Sequence, residues 1–132
     1  MEVSQKLPIS LYVVPTEDLV EDEEIDGVLT KGWEQPPTAG STLLIVPSDP
    51  GQQNRRVRWL YTVVSVSHTD NRDWPLDLEI EAAEVRKPCT WYELVRQSQI
   101  EGLVPLSGAK DQGDCITHSA TIRMIYEMLG EI

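Results

Sequence analysis

The side chains that could perform chemistry are scattered along this chain and form no catalytic motif. Cysteine and histidine are the residue types that most often bind zinc, and the chain has two of each, Cys89, Cys115, His68 and His118. They lack the Cys-x-x-Cys or His-x-x-x-His spacing of zinc sites. His118 precedes Ser119, yet neither a neighbouring carboxylate nor the glycines of a nucleophile elbow accompany this pair. A glycine-rich phosphate loop is also absent from the sequence. The sequence therefore predicts no metal, no cofactor and no enzymatic activity.

Aromatic and basic side chains in loop-like segments are the remaining candidates for ligand binding. Trp33 lies in a segment rich in glycine and proline, and Trp74 lies directly before a proline. An indole in such a position either contacts a ligand or covers the end of the hydrophobic core. Arg58 and Arg72 could each contact a phosphate, although surface arginines more often stay in solvent or pair with acids.

Acidic residues dominate the charge of the chain, which is -11 at neutral pH. Residues 17–26 contain seven acids and no base. Such a run is either a solvated helix face or a surface for a basic protein partner. An acidic chain is a poor non-specific binder of nucleic acid, so any nucleic-acid role must be specific or local. The central acids of this segment are Glu21, Asp22, Glu23 and Glu24.

The length of the chain fits one domain over residues 1–132, large enough to bury a hydrophobic core. No apolar run approaches the ~20 residues that a membrane span needs. The N-terminus lacks the basic and apolar regions of a secretory signal. We therefore expect a cytoplasmic protein that does not enter a membrane.

Strand-like segments predominate. In residues 76–85, Leu78 and Ile80 alternate with acids, which is typical of a half-buried strand. The alternation changes phase at Ala82-Ala83, which predicts a β-bulge there. In the preceding strand, Trp59 and Tyr61 are predicted core residues on one face. The predicted strands are residues 9–14, 42–46, 56–67 and 76–85, with a further short strand at 103–106.

Short helices complete the predicted elements. Thr90 and Glu93 have the spacing of a capping box and predict a helix over residues 91–98. Ser119 is the predicted cap of a closing helix that ends at Gly130, and an acidic helix is predicted over residues 17–24. Together the elements predict an α+β domain whose mainly antiparallel sheet forms a partly closed β-barrel with short peripheral helices.

The order of these elements resembles the PUA-like superfamily and, within it, the EVE and ASCH domains. The resemblance rests on residues 15–19 after the first strand, on Gly27 and Trp33 before the second, and on residues 86–94 between the last long strand and its helix. Residues 103–107 before the closing helix are similar to the closing strand of that group. Where the family commonly has Gly-Asp before the second strand, this chain has glycine and serine at positions 40 and 41.

The resemblance implies a non-enzymatic module that binds a nucleotide, or a modified or flipped base of RNA or DNA, in an aromatic-lined cleft. Trp33 would line this cleft, Trp74 would stand at its edge, and Arg58 or Arg72 would lie near a phosphate. A base outside its stack needs flat side chains to stack on and polar groups for its edge. The alternative hypothesis is an adaptor or inhibitor that binds a basic protein through the acidic segment, residues 17–26.

Overall fold

Leucine, valine, isoleucine and threonine fill the strand segments of the chain, and these residues suit a pleated, partly buried surface. The structure, a computed structural model, describes residues 7–16, 25–30, 36–47, 50–52, 54–104, 106 and 114–132. In that part of the chain there are six strands, two α-helices and one short 3-10 helix, Pro50–Gln52. The strands are β1 Leu11–Thr16, β2 Gly27–Thr30, β3 Thr42–Pro47, β4 Arg56–His68, β5 Leu76–Thr90 and β6 Asp114–Ile116. The helices are α1 Trp91–Ile100 and α2 Ser119–Met128.

All six strands belong to one sheet with the order β2-β5-β4-β3-β1-β6. The β1 and β3 strands are parallel, and the other four neighbouring pairs are antiparallel. A parallel pair needs a long connection, and β2 lies within the stretch of chain that joins β1 to β3. The sheet curls into an open half-barrel, which confirms the predicted α+β class with a mainly antiparallel, partly closed sheet.

Both faces of the sheet bury apolar side chains. In β3, Leu44 and Val46 lie on the face that the two helices cover, which we call the helix face. Leu43 and Ile45 alternate with them and lie on the opposite side, which we call the second face. The unbroken apolar run of β3 predicts a strand covered on both sides, and its buried residues confirm this.

The β4 strand bends and changes the face that it buries. Val57 and Leu60 lie on the helix face, whereas Trp59 and Tyr61 lie on the second face. Its register against β5 shifts between Val57 and Trp59 and again further along the strand. An irregular position in one strand produces such shifts and increases the local twist.

The predicted bulge at Ala82-Ala83 is wrong. These two residues pair in unbroken register with Tyr61 and Leu60. The change of apolar phase has another cause, because Val85 lies on the helix face while Ala82 lies on the second face. The break in register lies further along the strand, because the five positions of β5 from Glu84 to Cys89 span only the two positions of β4 from Trp59 to Val57.

The two helices begin with side-chain caps and end with the same glycine motif. Thr90 Oγ1 accepts from the backbone N–H of Glu93, as the capping box predicts. In α2 the cap is His118 and not Ser119, because His118 Nδ1 accepts from the backbone N–H of Thr121 over 3.3 Å. Gly102 and Gly130 follow the helices with φ of 67° and 73°, the left-handed conformation that glycine adopts without strain.

Two short edge strands differ from the sequence prediction. Both β2 and β6 lie outside the strands predicted from the sequence, and each pairs with a longer strand. Leu103 and Val104, which were predicted to begin a short strand, lie outside any strand. The predicted helix over residues 17–24 lies outside the described residues. None of the helices in the described part of the chain is long and apolar enough to cross a membrane.

Candidate functional site

The loop between β4 and β5 is held in shape by its own polar groups. Thr69 Oγ1 donates to the carbonyl oxygen of Trp74 over 2.6 Å, and Thr69 N–H donates to the carbonyl oxygen of Pro75 over 2.8 Å. Asn71 Oδ1 accepts from the backbone N–H groups of Asp73 and Trp74 over 2.9 and 3.3 Å. Asparagine and threonine side chains stabilise turns by such local bonds. The loop therefore holds the Trp74 backbone in a defined position.

This loop lies beside the end of the edge strand β2. Thr30, the last residue of β2, pairs with Leu76, which is two residues after Trp74. Trp74 is half-buried, and Arg72 at the exposed part of the same loop points to solvent. Trp33 follows Thr30 by three residues in the sequence but lies outside the described residues.

Arg58 lies at the other end of the β4–β5 hairpin. Its neighbours Val57 and Trp59 pair with Cys89 and Glu84. Glu84 is eight residues from Leu76 along β5, which corresponds to about 26 Å of extended strand. The structure thus separates Arg58 from Trp74. Of the two arginines predicted to contact a phosphate, only Arg72 shares an end of the sheet with Trp74.

The residues predicted for the alternative function lie outside the described part of the chain. The acids of the alternative partner surface, Glu21, Asp22, Glu23 and Glu24, are outside it. Among the described residues, no three histidine, cysteine or acidic side chains come together as a metal site would require.

The two cysteines have different environments, and both are free thiols. Cys115 is exposed on β6, whereas Cys89 is buried among the side chains of the helix face. Burial and, second, the nearby carboxylate of Glu93 raise the pKa of the Cys89 thiol from 9.0 to about 11. A thiol with such a pKa is almost entirely protonated at neutral pH, so Cys89 is a poor nucleophile.

Two aromatic side chains on the second face stay partly exposed. Tyr61 is a core residue with 2% of its surface exposed, as predicted, but Trp59 on the same face is only half-buried. Tyr12 on β1 is also half-buried there, and sequence reasoning did not single it out. Val13 faces the helices, so the alternation of side chains along β1 was the signal that Tyr12 lies on the second face.

The sequence matches no protein-family model and no curated protein. A solved structure of similar fold is the crystal structure of protein Atu2648 from Agrobacterium tumefaciens, a structural genomics target. The two chains are 12% identical and superpose with a TM-score of 0.55 over 87% of this chain and 92% of that chain. At this identity the similarity establishes the fold alone.

Proposed function

We propose that this protein is a non-enzymatic module that binds a nucleotide, or a modified or unstacked base of RNA or DNA. In this proposal it is a PUA-like domain of the EVE or ASCH kind. The curled half-barrel supports the proposal at the level of general architecture, because PUA-like domains also contain a partly closed barrel. The binding itself rests on the residues at one end of the sheet.

The observation that carries the proposal is the placement of Trp74. The indole belongs to a loop fixed by the hydrogen bonds of Thr69 and Asn71, so little conformational entropy would be lost when a ligand binds. Each base stacked on an aromatic side chain contributes ~1–3 kcal/mol to binding. A half-buried indole on a rigid loop is suited to that contact.

Charge at this loop favours a small ligand. Arg72 supplies one cation, and the exposed acids Asp70 and Asp73 flank it in the same loop. A polyanion would be repelled by these acids, whereas a single phosphate could be contacted by the guanidinium alone. The loop is therefore suited to a nucleotide or to one base with its own phosphate.

Trp33 would supply the second aromatic wall of the cleft. The pairing of Thr30 with Leu76 supports its inclusion, because the chain leaves β2 beside the Trp74 loop. Two indoles can hold a base between them, as pockets for flipped bases commonly do.

Calorimetric titration with mononucleotides and with short oligonucleotides that carry modified bases tests the proposal. Trp74→Ala and Trp33→Ala should each weaken the binding of the best ligand by about tenfold or more, since ~1.4 kcal/mol corresponds to a factor of ten. Arg72→Gln should weaken the binding of phosphorylated ligands more than the binding of the free nucleoside. Arg123→Gln, an equal charge change on the exposed side of α2, is the control. Absence of binding across the panel, or full affinity in both tryptophan variants, would overturn the proposal.

A further inference from the structure

The loop that presents Trp74 carries more negative than positive charge. Asp70 and Asp73 lie in it with exposed side chains, and Arg72 is the one basic residue among residues 69–75. Two acids and one arginine give this loop a net charge of −1. A ligand that contacts the indole therefore meets a surface of negative charge.

The neighbouring parts of the chain do not compensate this charge. Asp77, exposed at the beginning of β5, adds a further carboxylate, and the basic residues of β4 and β5 lie at the opposite end of both strands. The chain leaves β2 beside the loop, where Thr30 pairs with Leu76, and residues 31–35 contain one lysine and one glutamate. The residues outside the described part together contain far more acids than bases. Their charge therefore adds to the negative potential of the loop on balance and does not cancel it.

The two aspartates are not needed for the shape of the loop. Thr69 and Asn71 supply the side-chain atoms of the hydrogen bonds that fix it, and the carboxylates of Asp70 and Asp73 take no part in those bonds. Asp73 contributes only its backbone N–H, which donates to Asn71 Oδ1. An uncharged residue at either position would keep the same bonds, so the conformation of the loop does not account for the acids.

Both aspartates lie close to the indole. Asp73 directly precedes Trp74, so their Cα atoms are about 3.8 Å apart. Asp70 follows Thr69, whose Oγ1 lies 2.6 Å from the carbonyl oxygen of Trp74. Exposed charges act on one another over about 8 Å at physiological salt. The two carboxylates therefore act on a ligand that stacks on this ring.

An indole and nearby carboxylates both favour a ligand with positive charge. The face of a tryptophan ring attracts a cation placed over it, more strongly than tyrosine or phenylalanine does. A carboxylate within a few ångströms attracts the same cation. A neutral base gains stacking alone at such a place, whereas a cationic base gains stacking and both electrostatic attractions.

We propose that the Trp74 loop selects a nucleotide whose base is positively charged, namely a purine or pyrimidine that is methylated at a ring nitrogen. This inference rests on the proposed function and specifies its ligand. Arg72 would contact the phosphate while Asp70 and Asp73 lie beside the base, so each charge of the nucleotide meets its opposite. A methylated ammonium group without a phosphate, as in trimethyllysine, would gain nothing from Arg72, so the nucleotide is the better-supported ligand.

Calorimetric titration with pairs of isomeric nucleotides tests the inference. N1-methyladenosine monophosphate has a cationic base at neutral pH, and N6-methyladenosine monophosphate is its neutral isomer. N3-methylcytidine and C5-methylcytidine monophosphates form a second pair of the same kind. In each pair the cationic isomer should bind about tenfold more tightly, which corresponds to ~1.4 kcal/mol. The preference should narrow as salt is added, because the aspartates are exposed.

Variants of the loop connect the preference to its charges. Asp70→Asn and Asp73→Asn should each reduce the preference by about two- to threefold and leave the affinity of the neutral isomer nearly unchanged. Arg72→Gln should weaken both isomers but widen the preference, because it removes the phosphate contact together with a cation that repels the base. Glu127→Gln, an equal change of charge on the exposed side of α2, should leave the preference as in the wild-type protein.

The outcomes separate the inference from the proposed function. Equal affinity of the isomers in both pairs, or a preference that both aspartate variants retain in full, would overturn the inference and leave the proposed function standing. A preference in one pair alone would show recognition of the methyl position and would overturn the inference as well. If no nucleotide binds, both fail. Binding of trimethyllysine as tight as that of the cationic nucleotides would overturn the assignment to a base.

Discussion

Tyr12 lies directly opposite Cys115 where the first strand of the chain pairs with the edge strand β6. Burial raises the pKa of the Tyr12 phenol above its ordinary value, and the adjacent thiol of Cys115 raises it further. The thiol acts in this direction because its ionised form would repel a phenolate, and because it hydrogen-bonds the phenol. An edge strand of three residues thus brings two weak acids together on the sheet.

Replacing the thiol tests this relationship. Cys115→Ser should lower the pKa of Tyr12 but leave it above the ordinary 10.0, because burial is the larger cause and remains. A pH titration of Cζ-labelled tyrosine by NMR measures the change. Tyr126, whose pKa is also raised mainly by burial, should titrate as in the wild-type protein. An identical Tyr12 titration in the two proteins would contradict the coupling.

The two thiols should differ sharply in reactivity. Cys115 is exposed, whereas Cys89 is buried and has a pKa of about 11. A thiol reagent at neutral pH should therefore modify only Cys115 in the folded protein. In denaturant it should modify both. Mass spectrometry after brief alkylation identifies the modified residue. Labelling of Cys89 in the folded protein at a rate similar to that of Cys115 would show that the thiol is not enclosed as described.

Cys89 should also make the stability of the fold depend on pH under alkaline conditions. The pKa is raised from 9.0 to about 11 on folding, so the folded state holds its proton where the unfolded state loses it. The contribution of this thiol to the free energy of unfolding is therefore complete below pH 9 and declines as the pH rises towards 11. Urea unfolding at several pH values should show a steeper decline for the wild-type protein than for Cys89→Ala. Parallel curves would mean that the thiol does not contribute.

The long strands and both described helices could be predicted from the sequence because their signals are local. Alternation in residues 76–85 and the Thr90–Glu93 capping box each depend on residues close in the chain. The short strands β2 and β6 could not be predicted, because their identity comes from the partners β5 and β1. The parallel pairing of β1 with β3 is likewise a tertiary feature with no local pattern.

The candidate site was harder to predict than the fold. The sequence does not say that Arg58 and Trp74 lie at opposite ends of one hairpin, because that separation depends on the strand register. It also does not say that Trp59 stays half-buried while Tyr61, two residues later on the same face, is enclosed.

Asn71 should control the conformation of the loop that presents Trp74. Asn71→Ala removes the acceptor of two backbone N–H groups and should lower the free energy of unfolding by about 1 kcal/mol. Asn71→Asp keeps the acceptor oxygen and should retain most of the stability. Asp70→Ala, at the neighbouring exposed position, is the control for the loss of a polar side chain. Urea denaturation measures the stability, and near-ultraviolet circular dichroism reports the environment of the Trp74 indole. Equal stability of Asn71→Ala and the control would contradict the role of these bonds.

Gly102 and Gly130 occupy equivalent positions in the same helix-ending motif and therefore form a matched pair. After α1, the N–H of Leu103 donates to the Ser98 carbonyl oxygen, and after α2, the N–H of Glu131 donates to the Tyr126 carbonyl oxygen. The two glycines have φ of 67° and 73°, so an alanine at either position should cost about 1–2 kcal/mol in backbone strain.

The surroundings of the two glycines differ, and this difference predicts unequal losses. A Cβ at Gly102 would meet nothing within 4 Å, whereas a Cβ at Gly130 would lie 2.8 Å from Lys87 Cγ and 3.2 Å from Arg86 Cβ. Gly130→Ala should therefore lower the free energy of unfolding more than Gly102→Ala, as urea denaturation would measure. Because the backbone of Lys87 is tied by its N–H to the Leu129 carbonyl oxygen, the strand cannot easily move away. Equal losses would mean that the side chains of Lys87 and Arg86 adjust freely around the added methyl group.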